Sequence, residues 1–328
     1  MATEFDTVIA GGGVAGMSAA ITSARLGRRT LVVTGDVLGG QLVSIEKIEG
    51  FPGFPDGVPG YELCPTLQDQ AGAAGAEFMM ASLQRLEPQD GAWRVTTGEG
   101  EVLARGVILA MGSSLKKLGV PGEERLIGNG VSHCASCDAP LLRGRVVAVV
   151  GGGDSAMQEA LTLAEHVSKV IVLHRGDELT GQAAYRDKVS AHARIEIRLG
   201  TVVAEVLGDA KVSGLRTHNA RDGVTADLEV VAVFPYVGLE PNTACVAGCL
   251  RLDPTGLIAT DGLMRTELAG ICAAGTVRRQ SPYRAASAAG DGAAAAVALD
   301  RYLADGSWQD GNHSALPASA PLAEMLNR

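Results

Sequence analysis

Thr7-Val8-Ile9-Ala10-Gly11-Gly12-Gly13-Val14-Ala15-Gly16 is the stretch that decides the fold. Its first four residues suit a short buried strand, and three glycines follow at once. Residues 17–26 are Ala-rich and read as a helix, and residues 30–33 as the next strand. A G-x-G-x-x-G pattern between a strand and a helix is the fingerprint of a dinucleotide-binding turn. Gly11 allows the sharp turn, Gly13 lets a pyrophosphate approach the backbone, and Gly16 lets helix and strand pack closely. The helix N-terminus then turns partial positive charge toward the phosphates. An acid that meets the adenosine ribose is expected about 20 residues on, and Asp36 fits best, two residues past the strand end at Thr34. The competing reading is a glycine turn with no ligand.

The pattern returns. Residues 146–150 form an apolar strand, Gly151-Gly152-Gly153-Asp154-Ser155-Ala156 the turn, residues 157–166 a helix and 170–173 the next strand. Ala156 takes the third small position, which the fingerprint permits. Two such turns about 140 residues apart in one chain are far more specific than either alone. The expectation is an α/β protein that binds two dinucleotides.

Just ahead of the second unit stands Cys134-Ala135-Ser136-Cys137-Asp138. Two cysteines separated by two residues close and reopen a small disulfide ring at little conformational cost, and a carboxylate directly after the second can exchange protons with a thiolate. In an α/β chain this reads as a redox pair. The alternatives are half of a zinc site or two unrelated buried cysteines. Zinc usually takes four ligands, and no second Cys-x-x-Cys or spaced His pair completes a set, so no metal site is expected. Cys64, Cys245, Cys249 and Cys272 read as small buried hydrophobes, with Cys245-x-x-x-Cys249 as an outside candidate for a second pair.

Elsewhere, Gly39-Gly40-Gln41 and Phe51-Pro52-Gly53-Phe54-Pro55 punctuate a region without regular structure, and residues 61–74 read as a helix. Residues 77–86 and 93–97 alternate like strands of a small antiparallel sheet, and 107–110 return to the first sheet. Residues 195–206 and 228–234 read as strands, and 238–243 as a crossover loop. Residues 256–259 and 270–275 supply the last strands, 285–303 a long helix, and a loose tail begins at about 306, with a short helix near its end.

The 328 residues suit two domains, with 46% hydrophobic but only 4% aromatic content. A formal charge of −9 leaves no basic stripe to neutralise phosphates, which argues against a nucleic-acid partner. No apolar run reaches the roughly 18 residues of a membrane span. Six cysteines in a chain of this size do not make a disulfide scaffold. With no signal core ahead of the first strand, the expected location is cytoplasmic.

Taken together the motifs resemble the low-molecular-weight thioredoxin reductases over nearly the whole chain before the tail. The likeness rests on the two glycine turns, Gly39-Gly40-Gln41-Leu42, Phe51-Pro52-Gly53, Val120-Pro121-Gly122-Glu123, Cys134-x-x-Cys137-Asp138 and Gly238-Leu239-Glu240-Pro241-Asn242-Thr243. The flavoprotein subunit of alkyl hydroperoxide reductase shares the same module. The resemblance implies two Rossmann-like domains, the second inserted in the first. Residues 1–116 and 245–328 would bind FAD, and 117–244 would hold the pyridine nucleotide and the redox cysteines. It implies FAD contacts at Gly11, Gly13, Gly16, Asp36, Gly40, Gln41, Gly112, Thr276, Arg284 and Ala285, and nucleotide contacts at Gly151, Gly153, Ala156 and Arg175. It further implies a homodimer in which Cys137 takes electrons from the flavin, Cys134 attacks a thioredoxin-like protein or other disulfide, and Asp138 serves as acid and base.

Four departures qualify the likeness. The family's last FAD motif ends Ala-Gly-Asp, and here Thr276 replaces the acid. Its Arg-Gln-Ala becomes Tyr283-Arg284-Ala285. Gly50 replaces an Asn, and Met111 a Thr. Its NADPH-binding members carry His-Arg-Arg-x-x-x-Arg after the second strand, whereas this chain reads His174-Arg175-Gly176-Asp177-Glu178-Leu179-Thr180. Losing charge-assisted phosphate contacts, each ~1.5–3 kcal/mol, leaves NADPH, NADH and neither all open as donors. Four readings follow: a flavin-dependent disulfide reductase, a flavin-dependent dithiol oxidase for a small molecule, a reductase with a non-nicotinamide donor such as ferredoxin, and a non-catalytic redox-sensing flavoprotein.

Overall fold

The computed structural model describes residues 3–308. In chain order the strands and helices are β1 (Thr3–Ala10), α1 (Val14–Arg25), β2 (Thr30–Val33), α2 (Gly60–Ala73), β3 (Glu77–Met79), β4 (Leu83–Gln89), β5 (Ala92–Thr97), β6 (Gly100–Leu109) and β7 (Ser113–Leu115). Then come α3 (Ala135–Asp138), β8 (Val146–Val150), α4 (Asp154–His166), β9 (Lys169–Leu173), α5 (Ala183–Ala191), β10 (Ile195–Arg198), β11 (Thr201–Leu207), β12 (Gly214–Asn219), β13 (Thr225–Leu228) and β14 (Val233–Pro235). The described residues close with β15 (Leu239–Pro241), β16 (Ile271–Ala273) and α6 (Ala285–Asp305). It divides into two compact units, 1–114 with 240–328, and 115–239. The divisions fall a few residues before the expected ones. They lie inside β7 and β15, which pair with each other, so the segment expected to be a crossover loop is partly strand.

The first unit is built on a seven-stranded sheet in the order β3-β2-β1-β6-β5-β4, with β16 also on β6. Strand β6 serves two neighbourhoods. Along one edge its first half pairs antiparallel with β5 and its last residues parallel with β16, while β1 runs parallel along the other edge from Val102 to Leu109. Residues 77–86 therefore do not form a separate small sheet. They split into β3, parallel to β2, and β4, the edge of the antiparallel ribbon. Val8, Ile9, Val107, Ile108 and Ile271 are wholly buried, as the central strands of a sheet covered on both faces require. Gly306 adopts a left-handed conformation that ends α6. Order does not end there: Trp308 is 1% exposed, and its indole N–H donates to the Thr266 carbonyl at 3.0 Å. The apolar ring has a polar edge with a carbonyl to satisfy it, which the Ser- and Pro-containing sequence around it masked. The rest of the expected loose tail lies outside the described residues.

The second unit carries a parallel sheet in the order β10-β9-β8-β14 and a three-stranded antiparallel sheet β11-β12-β13. The continuous run expected over 195–206 breaks at residues 199–200, where β10 ends in the parallel sheet and β11 starts in the antiparallel one. The run 228–234 divides in the same way between β13 and β14. Each break lets one stretch of apolar sequence serve two sheets.

Candidate active site

The two glycine turns match the fingerprint atom by atom. Gly11 has φ +116°, and a Cβ there would lie 2.2 Å from the Ala110 carbonyl oxygen. A Cβ on Gly16 would lie 1.8 Å from the Gly11 oxygen, so α1 approaches the turn as closely as a glycine allows. Gly13 differs: the nearest atom to its Cβ position is 4.0 Å away, so that face of the backbone is open at the start of α1. In the second turn Gly151 has φ +144° and lies against the Tyr236 carbonyl, Ala156 is buried, and nothing lies within 4 Å of the Gly153 Cβ position. Both turns thus leave the backbone approachable at a helix start, which is what a pyrophosphate requires.

Residues distant in sequence converge on the first turn. The Gly39 N–H donates to the Gly12 carbonyl at 3.0 Å, and a Cβ on Gly40 would meet Gly13 Cα at 3.5 Å. The Gln41 side-chain amide donates to the Ser113 carbonyl. The Ser113 hydroxyl meets Thr276 Oγ1 at 2.9 Å, and a Cβ on Gly112 would face the same atom at 3.9 Å. The structure therefore brings together Gly13, Gly40, Gln41, Gly112 and Thr276. Asp36 is exposed past β2 and accepts from the Ser82 hydroxyl at 3.2 Å. Arg284 is an exposed residue at the start of α6, and Ala285 packs beside Ile48, Val58 and Leu63. These residues fit FAD on the open face of Gly13 and the convergence of separate chain segments around it.

One pair escaped the sequence reading. Arg278 Nε and Nη2 donate to Asp291 Oδ2 and Oδ1 at 2.6 and 2.9 Å, and the Gly275 N–H donates to Oδ2 at 3.1 Å. A lone acid in the Ala-rich run of α6 was the signal available.

In the second unit Cys134 and Cys137 form a disulfide, with Cα atoms 5.3 Å apart. That bond removes the zinc and unrelated-cysteine alternatives. Cys134 precedes α3, and the Cys137 N–H donates to its Sγ at 3.3 Å. Cys137 is exposed, whereas Cys134 and Asp138 are half-buried. Buried Glu159 on α4 accepts from the Ala135 N–H at 3.1 Å, and the Tyr236 hydroxyl donates to the His133 carbonyl at 3.1 Å. Burial, and then the Glu159 charge, raise the Tyr236 phenol above its ordinary range, so it acts as a neutral hydrogen-bonding strut. Cys64, Cys245, Cys249 and Cys272 are free thiols. Burial pushes Cys249 up to about 12 and raises Cys245 also, which makes a second redox pair there a poor nucleophile.

Comparison with known proteins agrees with this geometry. Residues 5–292 match the pyridine nucleotide-disulphide oxidoreductase family. The chain belongs to that family, among the low-molecular-weight thioredoxin reductases. It is 38% identical to a thioredoxin reductase of Treponema pallidum over 303 residues, 92% of this chain and 98% of the other. It is 37% identical to one from Mycolicibacterium smegmatis over 304 residues, covering 92% and 98%. The crystal structure of Lactococcus lactis thioredoxin reductase in its FR conformation superposes with a TM-score of 0.89 at 33% identity, covering 92% and 99%. The chain is an oxidoreductase, a flavin-dependent disulfide reductase of this type. Among the described residues no helix is long and apolar enough to cross a membrane.

Proposed function

We propose that the chain reduces the disulfide of a thioredoxin-like protein, with a nicotinamide as electron source. The observation that carries this reading is the Cys134–Cys137 disulfide, with one sulfur in an exposed residue, in a unit that has its own dinucleotide turn. Bound at the first turn, FAD supplies two-electron exchange between a nicotinamide and a disulfide. Two electrons and two protons convert Cys134–Cys137 to a dithiol. Thiol exchange with the partner then restores the disulfide here and leaves a dithiol there.

Exposure and hydrogen bonding rank the two sulfurs differently. Cys137 is the more exposed, but the N–H aimed at a cysteine sulfur is aimed at Cys134. Because the attacking form is the thiolate, a donor that holds negative charge on Sγ supports Cys134 as the interchange thiol. Cys137 then resolves the mixed disulfide, and Asp138, directly after it, supplies and recovers the proton. The likeness to the thioredoxin reductases supports a homodimer, which sedimentation equilibrium tests. Four free thiols beside one Cys-x-x-Cys disulfide suit a reducing compartment such as the cytoplasm.

The deciding experiment is anaerobic titration of the yellow protein with NADPH and separately with NADH, followed by the flavin spectrum. Bleaching by either supports the nicotinamide route. Bleaching by dithionite alone overturns it and brings forward the non-nicotinamide donor and the dithiol oxidase. Absence of disulfide turnover with every donor would leave a redox-sensing module.

A further inference from the structure

The adenosine end of the second turn carries a charge arrangement that the sequence does not display. In a Rossmann unit the group that meets the adenosine 2′ position follows the second strand, roughly 20 residues past the first glycine. Here that segment is residues 174–178, directly after β9. Arg175, Asp177 and Glu178 are all exposed there. One oxygen of the Asp177 carboxylate is already engaged: Arg221 Nη2 lies 2.8 Å from Oδ1, Nε donates to the same oxygen at 3.0 Å, and Nη2 donates to the Asp177 carbonyl at 3.3 Å. Arg221 comes from the turn between β12 and β13, far along the chain.

Both partners stand on ordered backbone. The Gly200 N–H donates to the Gly176 carbonyl at 3.0 Å, and the Ala220 N–H to the Gly200 carbonyl at 2.8 Å. The Arg221 stem crosses Gly200, where a Cβ would meet its Cγ at 2.9 Å. The segment after Asp177 is tied to the glycine turn, with the Thr180 and Gly181 N–H groups donating to the Gly152 carbonyl at 2.8 and 3.1 Å. The Gln182 N–H also donates to Asp154 Oδ1 at 2.7 Å.

We infer that the Asp177–Arg221 pair sets the choice at the adenosine 2′ position, with Arg221 as a phosphate ligand that Asp177 holds back. This deepens the proposed function and rests on its nicotinamide reading. A 2′-phosphate engages Arg221 by drawing it from Asp177, which is an inexpensive step because the pair is exposed. The phosphate then lies beside the carboxylate left behind, and like charges at such range oppose each other. A 2′-hydroxyl meets neither effect. Attraction to two arginines and repulsion from two acids nearly offset, so the chain accepts NADPH and NADH on comparable terms.

The test is calorimetric binding of adenosine 2′,5′-bisphosphate and of 5′-AMP to the FAD-loaded protein, to Asp177→Asn and to Arg221→Gln. The readout is the ratio of the two affinities, which needs no turnover. The wild-type ratio is expected within about tenfold of unity. Asp177→Asn is expected to move it about tenfold toward the bisphosphate, and Arg221→Gln about tenfold away, each the size of a single charge-assisted contact. A wild-type ratio beyond tenfold, or a ratio that neither variant moves while both ligands bind, overturns the inference and leaves the nicotinamide reading intact. Failure of both ligands to bind the wild-type protein overturns both.

Discussion

Asp291→Ala removes the carboxylate on α6 that the largely covered Arg278 guanidinium pairs with, and the structure sets the size of the loss. The carboxylate accepts two parallel guanidinium bonds, at 2.6 and 2.9 Å, and the Gly275 N–H at 3.1 Å. The side chains are 12% and 8% exposed, so solvent screening offers little relief. Two charge-assisted bonds at ~1.5–3 kcal/mol each agree with the ~3–5 kcal/mol typical of breaking a buried pair. Most of that cost is the stranded cation rather than the lost attraction. The double variant Arg278→Met with Asp291→Ala should therefore recover much of it, because an apolar pair leaves no charge to solvate. Urea unfolding followed by tryptophan fluorescence reports on the same unit, since Trp93 and Trp308 are both buried there. Asp291→Ala should lower the midpoint without changing the m-value. Retained stability within about 1 kcal/mol, or a double variant no more stable than the single, would refute the argument.

Further outcomes follow from the same geometry. Gly16→Val places a side chain against the Gly11 carbonyl, where even a Cβ would come within 1.8 Å, and should cost about 3 kcal/mol or more. Gly13→Ala meets open space, so it should fold normally but retain less FAD, as measured by flavin fluorescence after gel filtration. Cys137→Ser should trap a mixed disulfide between Cys134 and a thioredoxin active-site disulfide, and Cys134→Ser should not; the reverse pattern on non-reducing gels would exchange their assigned roles. Burial pushes the Cys249 thiol up to about 12, and the Cys272 thiol and Tyr236 phenol upward too. Each raised group stabilises the fold fully below its unfolded value, near 9 for the thiols, because both states are then neutral or the folded state loses nothing. As pH rises from about 9 to about 12 the unfolded thiolate is favoured and stability falls, with a slope near ~1.4 kcal/mol per pH unit for each thiol. Chemical denaturation from pH 7 to 11 checks this, and a flat profile would contradict it.

The two dinucleotide units and the redox pair were legible because each is a local pattern. Strand, glycine spacing and helix lie within about 30 residues of one another, and a Cys-x-x-Cys ring closes within one turn of chain. The three roles assigned to Gly11, Gly13 and Gly16 correspond to a carbonyl contact, an open face and a helix contact in the structure. The limits of regular elements were less visible where one apolar run feeds two sheets, as at residues 199–200 and within 228–234. Alternation along a strand does not say which sheet will receive it.

What the sequence determined by itself, then, was chemistry carried by neighbours: two glycine turns of the dinucleotide-binding pattern, one disulfide ring and a segment after β9 with a single arginine. The tertiary structure decided the pairings between distant residues. Arg278 with Asp291, Arg221 with Asp177, Ser113 with Thr276, and Trp308 with Thr266 are each joined by the path of the fold rather than by spacing. A charged or polar side chain in sequence names no partner, because its partner is whichever complementary group the packed backbone brings within hydrogen-bond reach.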